Sequence, residues 1–210
     1  PASTEIYTLS LHDALPIYSL LEIPGGLFSP PVRKAPMDAR PVQSMGTTEF
    51  QQLLRDRETR ASAIHETIAR TSLPLVELTL NIPGAEKINP RLYLLHRYLE
   101  TRVRQLLQSH AVLVVAEYRE YPTCGPCVLL SVRPTSPSNY FAATAFCQEV
   151  KRLMVSLAVD EPLGRLFDID VFTPEGTKLQ RTSGLRQCLL FEAAAVVCAR
   201  AGAHTIEELT

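Results

Sequence analysis

Charge of one sign is what this sequence most clearly lacks. Its 21 lysines and arginines are set against 22 aspartates and glutamates, a formal net charge of -1 over 210 residues. No global basic field therefore points to nucleic acid. No apolar run approaches the ~18 residues of a membrane span, and no segment repeats at a fixed period, which sets aside solenoids and propellers. Tryptophan is absent. No basic n-region opens the chain, so a secretory signal is not read there. The cysteines number five; an odd count without a signal segment predicts reduced thiols and a cytoplasmic setting.

What is present is an ordinary globular composition, 46% hydrophobic and 20% charged, enough for one sizeable core or a core with an appendage. The first 44 residues stand apart. Thr4 to Ile17 ("TEIYTLSLHDALPI") resembles one reading frame of a sequencing-library adapter. Tyr18 to Ser44 is aperiodic and rich in proline and glycine, so residues 1–44 are expected to be a non-native or disordered leader. Met45 is the expected start of a single domain, 45–210.

Within that domain the periodicities alternate. Thr47 or Thr48 can cap a helix to about Arg70, with Phe50, Leu53, Leu54, Ile64 and Ile68 on its apolar face. Val76, Leu78 and Leu80 alternate with Leu75, Glu77 and Thr79 in a strand that ends at Pro83-Gly84. Asn89-Pro90 opens a helix to about Ser109, and two β-rich runs flank "PTCGP" as a hairpin. Ser138 can cap a helix from Asn139 to Val159, ahead of another strand, a "PEG" turn, a return strand "TKLQR" and a helix through "RQCLLFEAAAVVCARA". The order β-α-β-β-α-β predicts an α+β, ferredoxin-like core with helices on one sheet face. An N-terminal helix and a C-terminal hairpin plus helix are expected around it.

The last strand of that core, in "GRLFDIDVFTPEG" (Gly164 to Gly176), carries Asp168 and Asp170. Residues two apart in a strand share a face. The two carboxylates therefore stand side by side, opposite Phe167, Ile169 and Val171, which point to a core. Anions that close raise each other's pKa unless a cation intervenes. A Mg²⁺ held on the pair with substrate phosphates is one arrangement that accounts for them. A solvated strand face paired with arginines is the other. Arg165 precedes the pair and Arg181, Arg186 and Arg200 follow it, and arginine suits bidentate phosphate contacts.

"LGRLFDIDVFTPEG", "LRQCLLF" and "CARAGAHTIEEL", with "RDRETR" (Arg55 to Arg60), "PLVELTLNIPGAEK" (Pro74 to Lys87) and the "GP" of the hairpin, resemble the holo-acyl-carrier-protein synthases of citrate lyase, the apo-citrate lyase phosphoribosyl-dephospho-CoA transferases. The resemblance covers essentially all of 45–210, and its C-terminal third is the specific part. It implies an enzyme of the nucleotidyltransferase type. The donor is 2′-(5″-triphosphoribosyl)-3′-dephospho-CoA. The acceptor is a serine of the apo acyl carrier protein, the γ subunit of citrate lyase, and pyrophosphate leaves. On this reading Asp168 and Asp170 hold Mg²⁺, with Arg165 beside them, and Lys87 and the arginines, Arg181 among them, neutralise the phosphates. Arg57 and Arg60 are further substrate-binding candidates, with a helix surface paired to Glu58 as their alternative. The serine proton has three candidate acceptors, Asp168, Asp170 and His204. His204 is also a substrate-binding candidate.

The chain departs from the family's R-R-C-L-L-C pattern. Arg186 and Cys188 match, but Gln187 and Phe191 stand where the second arginine and second cysteine would. That leaves Cys188, Cys198 and His204 as three ligand-type residues, and no zinc is expected there, with both cysteines packed on a helix. Two rival activities are a related transferase for another carrier protein, such as that of malonate decarboxylase, and a thiol–disulfide oxidoreductase using Cys124 and Cys127 ("CGPC"). The latter needs its first thiol at a helix N-terminus. "VLLSV" follows instead and no tryptophan precedes, so the motif reads as a hairpin tip.

Overall fold

The computed structural model describes residues 47–84, 86–136, 143–181 and 184–209; the leader and the Ser138 cap lie outside them. The chain parts into two compact units, Gly46–Leu185 and one that includes Arg186–Thr210. In the first, the elements run α1 (Thr47–Thr71), β1 (Leu75–Leu80), α2 (Pro90–Ser109), β2 (Val112–Glu120), β3 (Cys127–Pro134), α3 (Ala143–Asp160) and β4 (Phe167–Phe172). The sheet is antiparallel throughout, in the order β2-β3-β1-β4. That is the ferredoxin-like arrangement expected from the element order.

Local chemistry fixes the ends of α2. Asn89 Oδ1 accepts from the Leu92 N–H at 2.9 Å, and Pro90 occupies the first turn, where its missing N–H costs nothing. Leu99, Val103 and Leu107 of α2 and Val150, Leu153, Met154 and Leu157 of α3 pack on Val76, Leu78, Val128, Leu130, Val132, Phe167, Ile169 and Val171. Gly164 opens a 3-10 turn (Gly164–Leu166) between α3 and β4. A Cβ there would run into the Ala158 backbone carbonyl, so the tight exit from α3 needs a glycine.

The other sheet face is also covered. Ala63, Ile64 and Ile68 of α1 pack on Leu75, Cys127 and Leu129. Helices therefore lie on both faces, not one, which is why the central strands β1 and β3 are buried almost continuously while β2, at the edge, alternates. Among the described residues, no helix is long and apolar enough to cross a membrane.

Two C-terminal expectations are corrected. The return strand after Gly176 (φ 84°) reduces to one bridge, Phe172 to Lys178, and a Leu179 N–H to Val171 carbonyl bond of 2.8 Å. The helix expected from Arg186 begins only at Ala195. In the second unit, residues 188–193 instead form a turn closed by Cys188 N–H to Ala193 O (2.8 Å) and Ala195 N–H to Arg186 O (2.7 Å). Helix α4 (Ala195–Ala201) ends at Gly202 in the left-handed conformation (φ 55°), and α5 (Ile206–Leu209) follows.

Candidate active site

The pleat of β4 turns Phe167, Ile169 and Val171 into the α2/α3 core and leaves Asp168 and Asp170 half-buried on the face under α1. The β1–β4 register then sets Glu77 opposite Asp170 and Thr79 opposite Asp168. The Thr79 hydroxyl donates to the Asp168 backbone carbonyl at 3.2 Å. Like charges directly opposite on a sheet repel. Burial, then the neighbouring Asp170, push Glu77 up to about 7, with Arg60 pulling against them and Asp168 adding to the rise.

A carboxyl with a raised folded-state pKa binds protons more tightly folded than unfolded. Its contribution is complete below about 4.5 and is lost as pH rises through about 7. Stability is therefore expected to fall over that window, by roughly 1–3 kcal/mol from this group. Glu77→Gln should flatten the fall. Urea midpoints for both proteins at about pH 5 and about pH 8 test this; equal slopes in the two proteins would contradict it.

Cations meet these carboxylates from three directions. Lys151 of α3 donates to the Ile169 carbonyl at 3.1 Å and lies 3.4 Å from Asp170 Oδ1, while Lys178 reaches Asp170 Oδ2 at 2.9 Å. Burial pushes Lys151 down, and Asp170 opposes that. Arg60 points inward from α1. Its Nε is 3.9 Å from Glu77 and 3.4 Å from Glu120, and its Nη2 donates to Cys124 Sγ (3.0 Å) and the Gly125 carbonyl (3.1 Å). The helix-surface alternative thus does not describe Arg60. One turn earlier, Asp56 accepts from the Thr123 N–H at 2.7 Å and from its hydroxyl, fastening α1 to the β2–β3 tip.

The same end of the sheet carries more of the basic candidates. Lys87 donates to the Ile82 carbonyl, and burial followed by the charge of Arg57 pushes it down. Gly125 (φ 103°) lies over the Lys87 backbone, where a Cβ would come within 3.4 Å of its carbonyl oxygen. Arg57 is exposed. Arg165 sits in the 3-10 turn, tied to β1 by the Asn81 N–H to Leu166 carbonyl bond of 2.8 Å. Arg181 follows on the return segment, half-buried. Asp168, Asp170, Arg57, Arg60, Lys87, Arg165 and Arg181 therefore share the first unit, while Arg186, Arg200 and His204 belong to the second. Glu77, Lys151, Lys178 and Glu120 were not singled out from sequence. Only Glu77 carried a signal, its period-two placement between Leu75 and Thr79.

The Cys124–Cys127 pair forms the hairpin tip and the start of β3, with no helix N-terminus to activate it. Burial pushes both thiols up. That is the opposite of what disulfide exchange requires. Iodoacetamide is expected to label Cys124 slowly, and Cys127 only after denaturation, as read by peptide mass mapping. Rapid labelling of Cys127 in the folded protein would contradict this.

In the second unit, Cys188 Sγ lies 3.0 Å from His204 Nε2, and the ligand atoms of Cys188, Cys198 and His204 all fall within 4.8 Å of one another. Burial raises Cys188, but N–H donors from Phe191, Leu190 and Leu189 and the Cys198 thiol outweigh it and lower the group. Among the described residues this is the only such trio of ligating side chains; no three carboxylates converge in that way.

A family model described as apo-citrate lyase phosphoribosyl-dephospho-CoA transferase matches residues 48–210. The chain is 33% identical over 167 residues to a probable apo-citrate lyase phosphoribosyl-dephospho-CoA transferase of Vibrio cholerae serotype O1 (strain M66-2), covering 78% of this chain and 88% of that protein. It is 31% identical over 164 residues to the apo-citrate lyase phosphoribosyl-dephospho-CoA transferase of Citrobacter koseri, covering 75% and 82%. It is 34% identical over 168 residues to that of Escherichia coli O1:K1, again covering 75% and 82%.

Proposed function

Because this chain belongs to the apo-citrate lyase phosphoribosyl-dephospho-CoA transferase family, we propose that it moves the phosphoribosyl-dephospho-CoA group from 2′-(5″-triphosphoribosyl)-3′-dephospho-CoA to a serine of the apo acyl carrier protein, the γ subunit of citrate lyase. The observation that carries this reading is the family match across residues 48–210. The cytoplasm is the proposed setting, on the five free thiols.

The serine oxygen attacks the phosphorus nearest the ribose. The bond from that phosphorus to the bridging oxygen breaks, its electron pair leaves on pyrophosphate, and the serine proton passes to a base. This chemistry needs positioning and charge neutralisation more than a covalent intermediate. The carboxylate face of β1 and β4 supports such a role. Asp168 and Asp170 are the residues that would hold Mg²⁺, and the donor set fits it: hard carboxylate oxygens from two residues on one strand face, to be completed by phosphate oxygens. Bound there, the ion would supply neutralisation of the triphosphate and of the departing pyrophosphate. Lys151 and Lys178 hold Asp170 in place. Lys87, Arg57, Arg165 and Arg181 are the cations we assign to the phosphates, and Arg60 positions Glu77 and the hairpin tip.

Pyrophosphate release tests the reading. It should require the donor, the apo carrier protein and a divalent cation together, and chelation should stop it. Release at the same rate without the carrier protein would replace the transfer by simple hydrolysis.

A further inference from the structure

We infer that Cys188, Cys198 and His204 bind one Zn²⁺, and that this ion holds the C-terminal segment 186–210 together. Three donors arrive from three different places: the turn at 188–193, helix α4 and the loop after it. Their ligand atoms already lie within 4.8 Å of one another. A tetrahedral zinc with two sulfurs and one imidazole nitrogen sets its ligands roughly 3.6–3.8 Å apart. The 3.0 Å from Cys188 Sγ to His204 Nε2 therefore needs to open by less than about 1 Å.

The surroundings are those of a ligand set. Backbone N–H groups of Leu189, Leu190 and Phe191 are directed at the Cys188 sulfur, so the chain turns around that atom. The Phe191 ring meets the His204 ring edge-on at 4.4 Å, fixing the imidazole plane. Two thiolates and a neutral imidazole balance the charge of a divalent ion, so the buried site carries no net charge once filled. The donors are soft to borderline, which selects zinc over magnesium or calcium and leaves one position for water.

A second observation points the same way. Among the described residues of 186–210, the only buried side chains are Cys188 and Cys198, each 4% exposed, while Leu190, Phe191 and Val197 are exposed. Among the residues of 186–210 whose burial is described there is no aliphatic or aromatic core, and short units without one depend on a metal or other cross-link. The expectation of no zinc rested on Phe191 standing where a fourth ligand would, with both cysteines packed on a helix; three protein ligands and a water complete a tetrahedral zinc, and Cys188 lies outside helix α4.

The test uses the full chain, reduced with a phosphine and stripped of metal. Co²⁺ added as a probe should give thiolate-to-cobalt charge-transfer bands and the visible bands of tetrahedral cobalt, saturating at about one equivalent and displaced by Zn²⁺. Cys188→Ser with Cys198→Ser should abolish the charge-transfer bands, and Cys124→Ser should leave them unchanged. Zn²⁺ should also slow proteolytic cleavage within 186–210. Absence of charge-transfer bands in the wild-type chain, which needs no variant to fold, would overturn the site. Their persistence in the double variant would do the same, and unchanged cleavage with metal bound would overturn the stapling role.

Discussion

Asp168→Asn is expected to lower transfer to the carrier protein by about 10²–10³-fold while leaving the fold intact. The substitution keeps shape and removes one charge from a face that also holds Asp170 and Glu77. Relief of repulsion offsets much of any lost contact. Asp170→Asn should lower transfer as strongly but behave differently in stability. Its carboxylate is shared by Lys151, whose side chain is 6% exposed, and Lys178. Leaving Lys151 buried without its counter-charge should cost about 2–3 kcal/mol. Pyrophosphate release as a function of Mg²⁺ concentration, with urea denaturation in parallel, separates the two effects. If both variants keep wild-type rates and the wild-type Mg²⁺ dependence, the pair is a structural ion-pair face and not the proposed cation site.

Arg60→Met should be the most destabilising single change on the α1 face, by about 3–5 kcal/mol. The side chain is 17% exposed, and its guanidinium faces Glu77, Glu120, the Cys124 sulfur and the Gly125 carbonyl. Methionine fills much of the volume but leaves the two carboxylates without their cation beneath a helix. Adding Glu77→Gln should restore part of the loss, a coupling of about 1–3 kcal/mol. Urea midpoints of the two single variants and the double one measure that coupling. A loss below about 1 kcal/mol for Arg60→Met would mean that solvent already screens the cluster.

The ferredoxin-like core was legible because each of its elements states its own period and its own ends. Asn89-Pro90 caps α2, the strands flanking "PTCGP" form the hairpin, and the alternation in β4 puts Asp168 and Asp170 on one face, as observed. What stayed hidden depends on pairing at a distance. Nothing local says that Glu77 falls opposite Asp170; the strand register decides it. Nor does α3's own pattern say that Lys151 reaches the Ile169 carbonyl and Asp170 at the sheet edge. The covered second face was missed because the β-α-β-β-α-β order places helices on one face only, and nothing in the pattern of α1 says that it packs on the other, against Leu75, Cys127 and Leu129. At the C-terminus, the alanine-rich apolar run suggested a continuous helix. Three N–H groups that a helix would have used internally or left at its first turn are turned instead toward the Cys188 sulfur.

The intact mass of the carrier protein is the most direct measurement of the central claim. Incubated with this chain, triphosphoribosyl-dephospho-CoA and Mg²⁺, the apo γ subunit of citrate lyase should gain the mass of one phosphoribosyl-dephospho-CoA group. One pyrophosphate should appear per group attached, and neither should occur when the acceptor serine is replaced by alanine. An unchanged carrier mass with folded protein and intact donor, or a gain that survives loss of that serine, would contradict the account.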